Sequence, residues 1–199
     1  MTLTKAAKTT QYIIETVAPY FNKHGYTGTS LSDITKATGL TKGAIYGNFE
    51  NKEDLAIQAF NYTVKTRLWP VIETINAQNT GLKKLKALTN FYRNYYDHVS
   101  EYGGCPVLNV GVDSLNHNNA LYNRVVSVIQ KMTQGIIDVI EQAQQEGSIK
   151  SNLDASSYAK KIYAQIQGSV FLAIISKSNE NMQSMMDHID QMIDQEMRI

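Results

Sequence analysis

The chain has 199 residues, 43% hydrophobic and 19% charged, enough apolar material for one large domain or a small domain carried on a larger one. It has no run near the roughly 18 apolar residues of a membrane span, its start MTLTKAAKTT lacks the apolar centre of a secretory signal, and the single cysteine, Cys105, excludes an internal disulfide and suits a reducing cytosol. Net charge is +1, but residues 1–52 carry six lysines against Glu15, Asp33 and Glu50 while the remainder is slightly acidic, as for a phosphate-binding module on a different kind of body.

Three prolines and few alternating β-branched runs favour an all-α protein. The first helix is expected from about Thr4 to Lys23, where Ile13, Ile14, Val17, Ala18 and Phe21 make one apolar stripe. Pro19 removes a backbone donor inside it and should bend it near residue 15, and Gly25 is placed to end it. Ser30-Leu31-Ser32-Asp33 reads as a capping box opening a helix of barely two turns, with Leu31, Ile34 and Ala37 inward. Gly39 supplies a turn, Leu40 a corner, and Thr41 caps a second short helix with Ala44 and Ile45 inward. Neither helix can persist alone; two of them around a glycine turn, packed on a longer helix, are a helix-turn-helix.

The outward residues of the second short helix suit DNA. Thr41 brings a hydroxyl to a helix N-terminus that already favours phosphate. Lys42 can reach a phosphate or a guanine edge, Gly43 permits close approach, and Tyr46 can offer its hydroxyl. Asn51 caps the next helix and sets Lys52 at its positive end, where a second phosphate can dock.

Phe21, Gly25-Tyr26, Thr29-Ser30, Ile34, Gly39, Thr41-Lys42-Gly43, Tyr46, Phe49 and Lys52-Glu53 stand in one ordered set, and residues 10–60 thereby resemble the DNA-binding domain of the TetR/AcrR regulators. The resemblance implies DNA contacts by Ser30, Thr41, Lys42, Gly43, Ala44, Tyr46 and Lys52. At Gly47 and Asn48 that family often carries larger residues; Asn48 can still donate to a phosphate, whereas Gly47 cannot. The resemblance further implies a three-helix, homeodomain-like head at 1–51, on a ligand-binding and dimerisation domain at 52–199, about nine helices in all.

Beyond the head, a helix is expected from Lys52 to about Asn76 with a break at Trp69-Pro70, then one from Gly81 to Ser100. Tyr102-Gly103-Gly104 breaks the chain before a short apolar helix from Cys105-Pro106. Long helices follow at about 119–146, 154–177 and 181–197, the last with Met182, Met185, Met186, Ile189, Met192 and Ile193 near one face. The final two look too apolar for the edge of a monomer, and pairing with a second copy would make a four-helix dimer interface. The resemblance implies a pocket for a small-molecule inducer; the candidates to line it are Tyr62, Trp69, Phe91, Tyr95, Cys105, Asn109, Tyr163 and Phe171. Cys105 has two readings: a buried small apolar residue, or the trigger of an electrophile- or oxidant-sensing repressor, because Gly104 to Asn109 looks like a stretch found in such sensors.

Nothing points to an enzyme: there is no Gly-rich phosphate loop and no Cys-x-x-Cys or Glu-x-x-His pair, and the four histidines are scattered. Neither metal nor cofactor is expected. The expected protein is a cytoplasmic, dimeric regulator of operator DNA, a repressor released by an inducer, with an activator as the other possibility within the family.

Overall fold

A computed structural model describes residues 4–199; the first three residues of the expected head lie outside that range. Among the described residues the chain is helical throughout, with one isolated bridge between Ile149 and Arg198 and no sheet. The fold is all-α, and it forms two compact units.

The first unit comprises residues up to Arg67 together with Cys105–Ser127. Its long helix α1 (Lys5–Gly28) starts at Thr4, whose hydroxyl accepts from the Ala7 N–H. The helix runs through Pro19, and its one non-helical residue is Gly25, at φ 73° and ψ 176°. Against α1 pack α2 (Leu31–Thr38) and α4 (Lys52–Thr63), with α3 (Lys42–Tyr46) beside α2 and α8 (Pro106–Ser114) laid across α1 and α4. Ile13, Val17, Phe21, Ile34, Ile45, Phe49, Leu55 and Ala59 are all essentially buried and make the core that fixes the short helices. Each large apolar side chain so buried contributes about 1.5–3 kcal/mol, which is what holds helices of eight and five residues that water alone would melt. Helices α4 and α8 close the same core and belong to this unit.

The second unit comprises Leu68–Gly104 and Val128–Ile199. Helix α4 widens into a π-turn at Val64–Leu68 before α5 (Trp69–Asn76). Pro70 brings no N–H to that turn, which is the expected break. The next expected helix is divided into α6 (Gly81–Arg93) and α7 (Tyr95–Val99) at Asn94, whose φ of −108° and ψ of 5° leave the helical range. The cause is distant in sequence. The Arg93 carbonyl accepts from the Asn179 side chain at 2.7 Å, and the Arg93 guanidinium bridges Asp187 and Asp190. Helix α9 (Asn119–Gln145) carries the chain from the first unit to the second, and α10 (Ala155–Ser176) and α11 (Glu180–Met192) complete it.

Helices α10 and α11, the expected dimer pair, differ in what the single chain covers. Met182, Met186 and Ile189 are completely buried within their own unit, so the methionine face of α11 is occupied by its own chain. Helix α10 differs. Ala164, Gly168, Phe171, Leu172 and Ile175 recur at helical spacing and all are exposed, with Phe171 at 53% and Ile175 at 67%.

Candidate DNA-binding surface

The capping box at α2 is complete. The Ser30 hydroxyl oxygen accepts from the Asp33 N–H at 3.1 Å, and the Asp33 carboxylate accepts from the Ser30 N–H at 2.8 Å and from its hydroxyl at 2.6 Å. Those bonds from Ser30 hold the Asp33 carboxyl below its ordinary range. Gly39 ends the helix in the left-handed conformation at φ 68°, its N–H on the Thr35 carbonyl. Thr41 then caps α3 by accepting from the Ala44 N–H at 3.2 Å, which leaves its hydroxyl proton to donate outward.

Two side chains of α1 fasten this pair of helices, and the sequence reading missed both. The Tyr12 hydroxyl donates to the Thr38 carbonyl at 3.0 Å, at the end of α2. The Thr10 hydroxyl donates to the Asn48 side-chain oxygen at 2.9 Å, while the Asn48 amide donates to the Ala44 carbonyl at 2.8 Å. The Asn48 side chain thus joins α3 to α1, and its amide keeps a second N–H beyond the bond to Ala44. Only a sheltered i, i+4 relation to Ala44 could have hinted at this; Thr10 is 38 residues away.

On α3 the structure brings Thr41, Lys42, Gly43 and Tyr46 together as exposed residues, while Ile45 is buried and Ala44 half-buried. Lys42 and Tyr46 lie one turn apart, the ammonium 5.9 Å from the ring centroid, so both heads sit on one side of the helix. Gly43 has room for a side chain: a Cβ built there meets only the Thr41 hydroxyl oxygen, at 3.9 Å. Nothing inside the molecule requires glycine at 43, and glycine weakens a helix by about 1 kcal/mol relative to alanine.

Ser30 is exposed at the start of α2, apart from the α3 face, with its hydroxyl on Asp33. Lys52 begins α4 behind its cap Asn51, whose side-chain oxygen accepts from the Asp54 N–H at 2.9 Å. The Lys52 ammonium is half-buried, donating to the Tyr26 carbonyl at 2.5 Å and lying 4.3 Å from the Tyr26 ring centroid. Burial lowers the pKa of this ammonium, against the pull of Asp113 and Asp33. An ammonium has three N–H groups, so two remain after the bond to Tyr26.

The eight candidate ligand residues are divided between the two units, three in the first and five in the second. In the first unit, Tyr62 edges an open groove of about 400 Å³ between α1 and α4, Cys105 is buried at the N-cap of α8, and the Asn109 amide donates to the Asn22 carbonyl at 3.0 Å. In the second, the Phe91 and Tyr95 rings lie tilted at 39° with centroids 5.7 Å apart, Tyr95 is fully buried, and Tyr163 is half-buried on α10. Trp69 and Phe171 stand on the surface of the single chain, 42% and 53% exposed. The second unit does hold a cavity of about 210 Å³ between α5, α6 and α9, walled by Val71, Ile75, Leu88, Met132, Ile136 and Val139. At its edge the Lys84 ammonium donates to the Gln142 side chain at 2.8 Å, and none of the eight candidates lines it. Its apolar walls are of ordinary helix-core types and its polar lining, Asn76, Lys84, Lys131, Asp138 and Gln142, of ordinary helix-surface types, so local sequence carries no signal for them.

Residues 13–59 match the sequence profile described as bacterial regulatory proteins, tetR family, and residues 81–189 match that of the tetracyclin repressor-like C-terminal domain. The fold superposes on a TetR-family transcriptional regulator from Chloroflexus aurantiacus with a TM-score of 0.92 and 32% identity, covering 98% of each chain. A TetR-family regulator from Cytophaga hutchinsonii gives a TM-score of 0.90 at 30% identity, covering 100% of this chain and 99% of the other. In sequence the chain is 22% identical to the HTH-type transcriptional repressor DhaR of Mycobacterium sp. strain GP1 over 170 residues, 85% of this chain and 84% of that one.

Proposed function

Since the chain belongs to the TetR family of transcriptional regulators, we propose that it is a repressor that binds a palindromic operator as a dimer and leaves it when a small molecule occupies the body. The observation that carries the DNA reading is the outer face of α3, where Thr41, Lys42 and Tyr46 offer a hydroxyl, a cation and a phenol around the bare backbone at Gly43. A glycine with free space beside it, in a helix it weakens, makes sense where another molecule must come close. Thr41 and Ser30 at helix starts, and Lys52 with its two remaining N–H groups, are the phosphate contacts; Lys42 and Ala44 face the base edges.

The exposed stripe on α10 is the dimer contact, Ala164 and Gly168 letting a second copy of the helix approach closely. Dimerisation is needed because two α3 helices read a palindrome only when held about 34–36 Å apart. The effector is a small, mainly apolar molecule: the α5–α6–α9 cavity is below the ~300–1,000 Å³ usual for drug-sized ligands, and its walls are mostly apolar, with Asn76, Lys84, Lys131, Asp138 and Gln142 as the polar lining. Release is a population shift, the effector favouring a conformation of the dimer with the wrong head spacing. With Cys105 only 1% exposed, burial in the core is its role here.

A gel-shift titration on the intergenic DNA beside the gene tests the reading. A complex that weakens steeply with salt is expected; its absence would remove the repressor assignment. Within that assay, Lys42→Ala should cost about tenfold in affinity and lower the salt slope by about one, with the dimer intact. Tyr46→Phe should lose the hydroxyl contact alone, a smaller effect of about 1 kcal/mol. Gly43→Ala should move two measurements in opposite directions: thermal stability rises by up to about 1 kcal/mol while operator affinity drops. An affinity unchanged by Gly43→Ala would place the DNA elsewhere than on this face.

A further inference from the structure

Helix α8 carries two polar side chains one turn apart, Asn109 and Asp113, and both reach the end of α1. The Asn109 amide donates to the Asn22 carbonyl at 3.0 Å, one turn before the non-helical residue Gly25. The Asp113 carboxylate accepts from the Tyr26 N–H at 2.6 Å, the Thr27 hydroxyl at 2.5 Å and, at 3.4 Å, the Thr27 N–H. The amide joining Tyr26 to Thr27 is therefore held on both sides. Its N–H faces Asp113, and its carbonyl accepts from the Lys52 ammonium at 2.5 Å, with the lysine stem against the Tyr26 ring.

We propose that Asn109 and Asp113 are positioning residues for DNA binding, fixing the end of α1 from one face of α8 and, through Tyr26, holding the Lys52 ammonium where a backbone phosphate docks. This rests on the operator-binding reading above. A lysine side chain free in water loses rotamer entropy on binding a phosphate; a lysine already bonded to Tyr26 and stacked on its ring has given up much of that freedom beforehand. Charge orders the relay: carboxylate, peptide dipole, ammonium, each bond strengthening its neighbour. Both clamp residues leave the same helix, so a displacement of α8 loosens both, and operator affinity follows the position of α8. Neither residue touches DNA.

The test is salt-titrated operator binding by the full-length dimer, with thermal midpoint and oligomeric state measured on every variant. Asp113→Asn and Thr27→Val should each weaken the complex, Asp113→Asn by about tenfold, and each should lower the salt slope by about one, the loss of a single phosphate contact. Lys52→Ala should give the same change in slope, and adding it to Asp113→Asn should change the slope no further, since both remove one contact. Asn109→Ala should shift affinity in the same direction by less. A general structural role would lower the midpoint and the affinity at unchanged slope, with Lys52→Ala and Asp113→Asn additive; that outcome overturns the proposal. So does wild-type affinity and slope in a folded Asp113→Asn protein. If Asp113→Asn fails to fold, Thr27→Val decides, because it removes one hydroxyl at an exposed position. Absence of a wild-type complex would instead overturn the operator reading itself, and the clamp with it.

Discussion

Gly25→Ala is expected to destabilise the protein by about 3–5 kcal/mol, the sum of a strained backbone and an overpacked contact. At φ 73° and ψ 176° this residue occupies a region open essentially only to glycine. A Cβ there would lie 2.5–2.8 Å from three atoms of the Asp113 carboxyl group, inside any van der Waals contact. The carboxylate would have to swing away, surrendering Tyr26 and Thr27, or α8 would have to lift from α1. Gly39→Ala is the control: φ is 68°, yet no atom lies within 4 Å of the added carbon, so only the conformational cost of about 1 kcal/mol applies. Thermal unfolding of the two variants checks this. Gly25→Ala should lower the midpoint by about 10 °C, at the roughly 2–4 °C per kcal/mol of a chain this size, and Gly39→Ala by a few degrees. Equal shifts would mean that the Asp113 contact is loose.

The second large effect is on assembly. Phe171→Asp combined with Ile175→Asp is expected to leave a folded monomer that binds the operator about 10²–10⁴-fold more weakly, since joining two half-site contacts confers an advantage of that order. Both side chains point to solvent in the single chain, so aspartate there costs the isolated fold little. Facing their copies across a closed apolar contact, the carboxylates would lose water and repel one another. Sedimentation and gel shift on the same preparations decide the matter. A double variant that still sediments as a dimer places the interface elsewhere, and one that is monomeric yet binds the full operator normally breaks the link between pairing and spacing. Because the methionine face of α11 is occupied within its own unit, substitutions at Met182 or Met186 should instead unfold the protein.

The head was readable because its signals are local. Ser30 reaches Asp33, Thr41 reaches Ala44 and Asn51 reaches Asp54, each within three residues, and Gly39 ends a helix by its own dihedral preference. The long helices announced themselves by apolar periodicity, and the Trp69-Pro70 break by a missing donor. What the sequence hid depends on partners far along the chain. Asn48 is met by Thr10, Asn109 by Asn22, and Asp113 by Tyr26 and Thr27, at separations of 38 to 87 residues. The break at Asn94 rests on Asn179, 86 residues beyond the carbonyl it takes. Rotation decides the ligand candidates in the same way: an aromatic on a helix lines a cavity, fills a core or meets solvent within a turn's rotation, as Tyr95 and Phe171 show in opposite directions.

Helix α3 has five residues, fewer than two turns. It has no existence apart from Ile13, Ile45 and Phe49 in the core beneath it, so no partly melted form of the head keeps a reading surface. Occupancy of DNA and integrity of the fold are then lost at one threshold. For the repressor proposed above, warming toward the unfolding midpoint should switch on the controlled genes without any effector, and core lesions far from DNA should look, in the cell, like permanent induction.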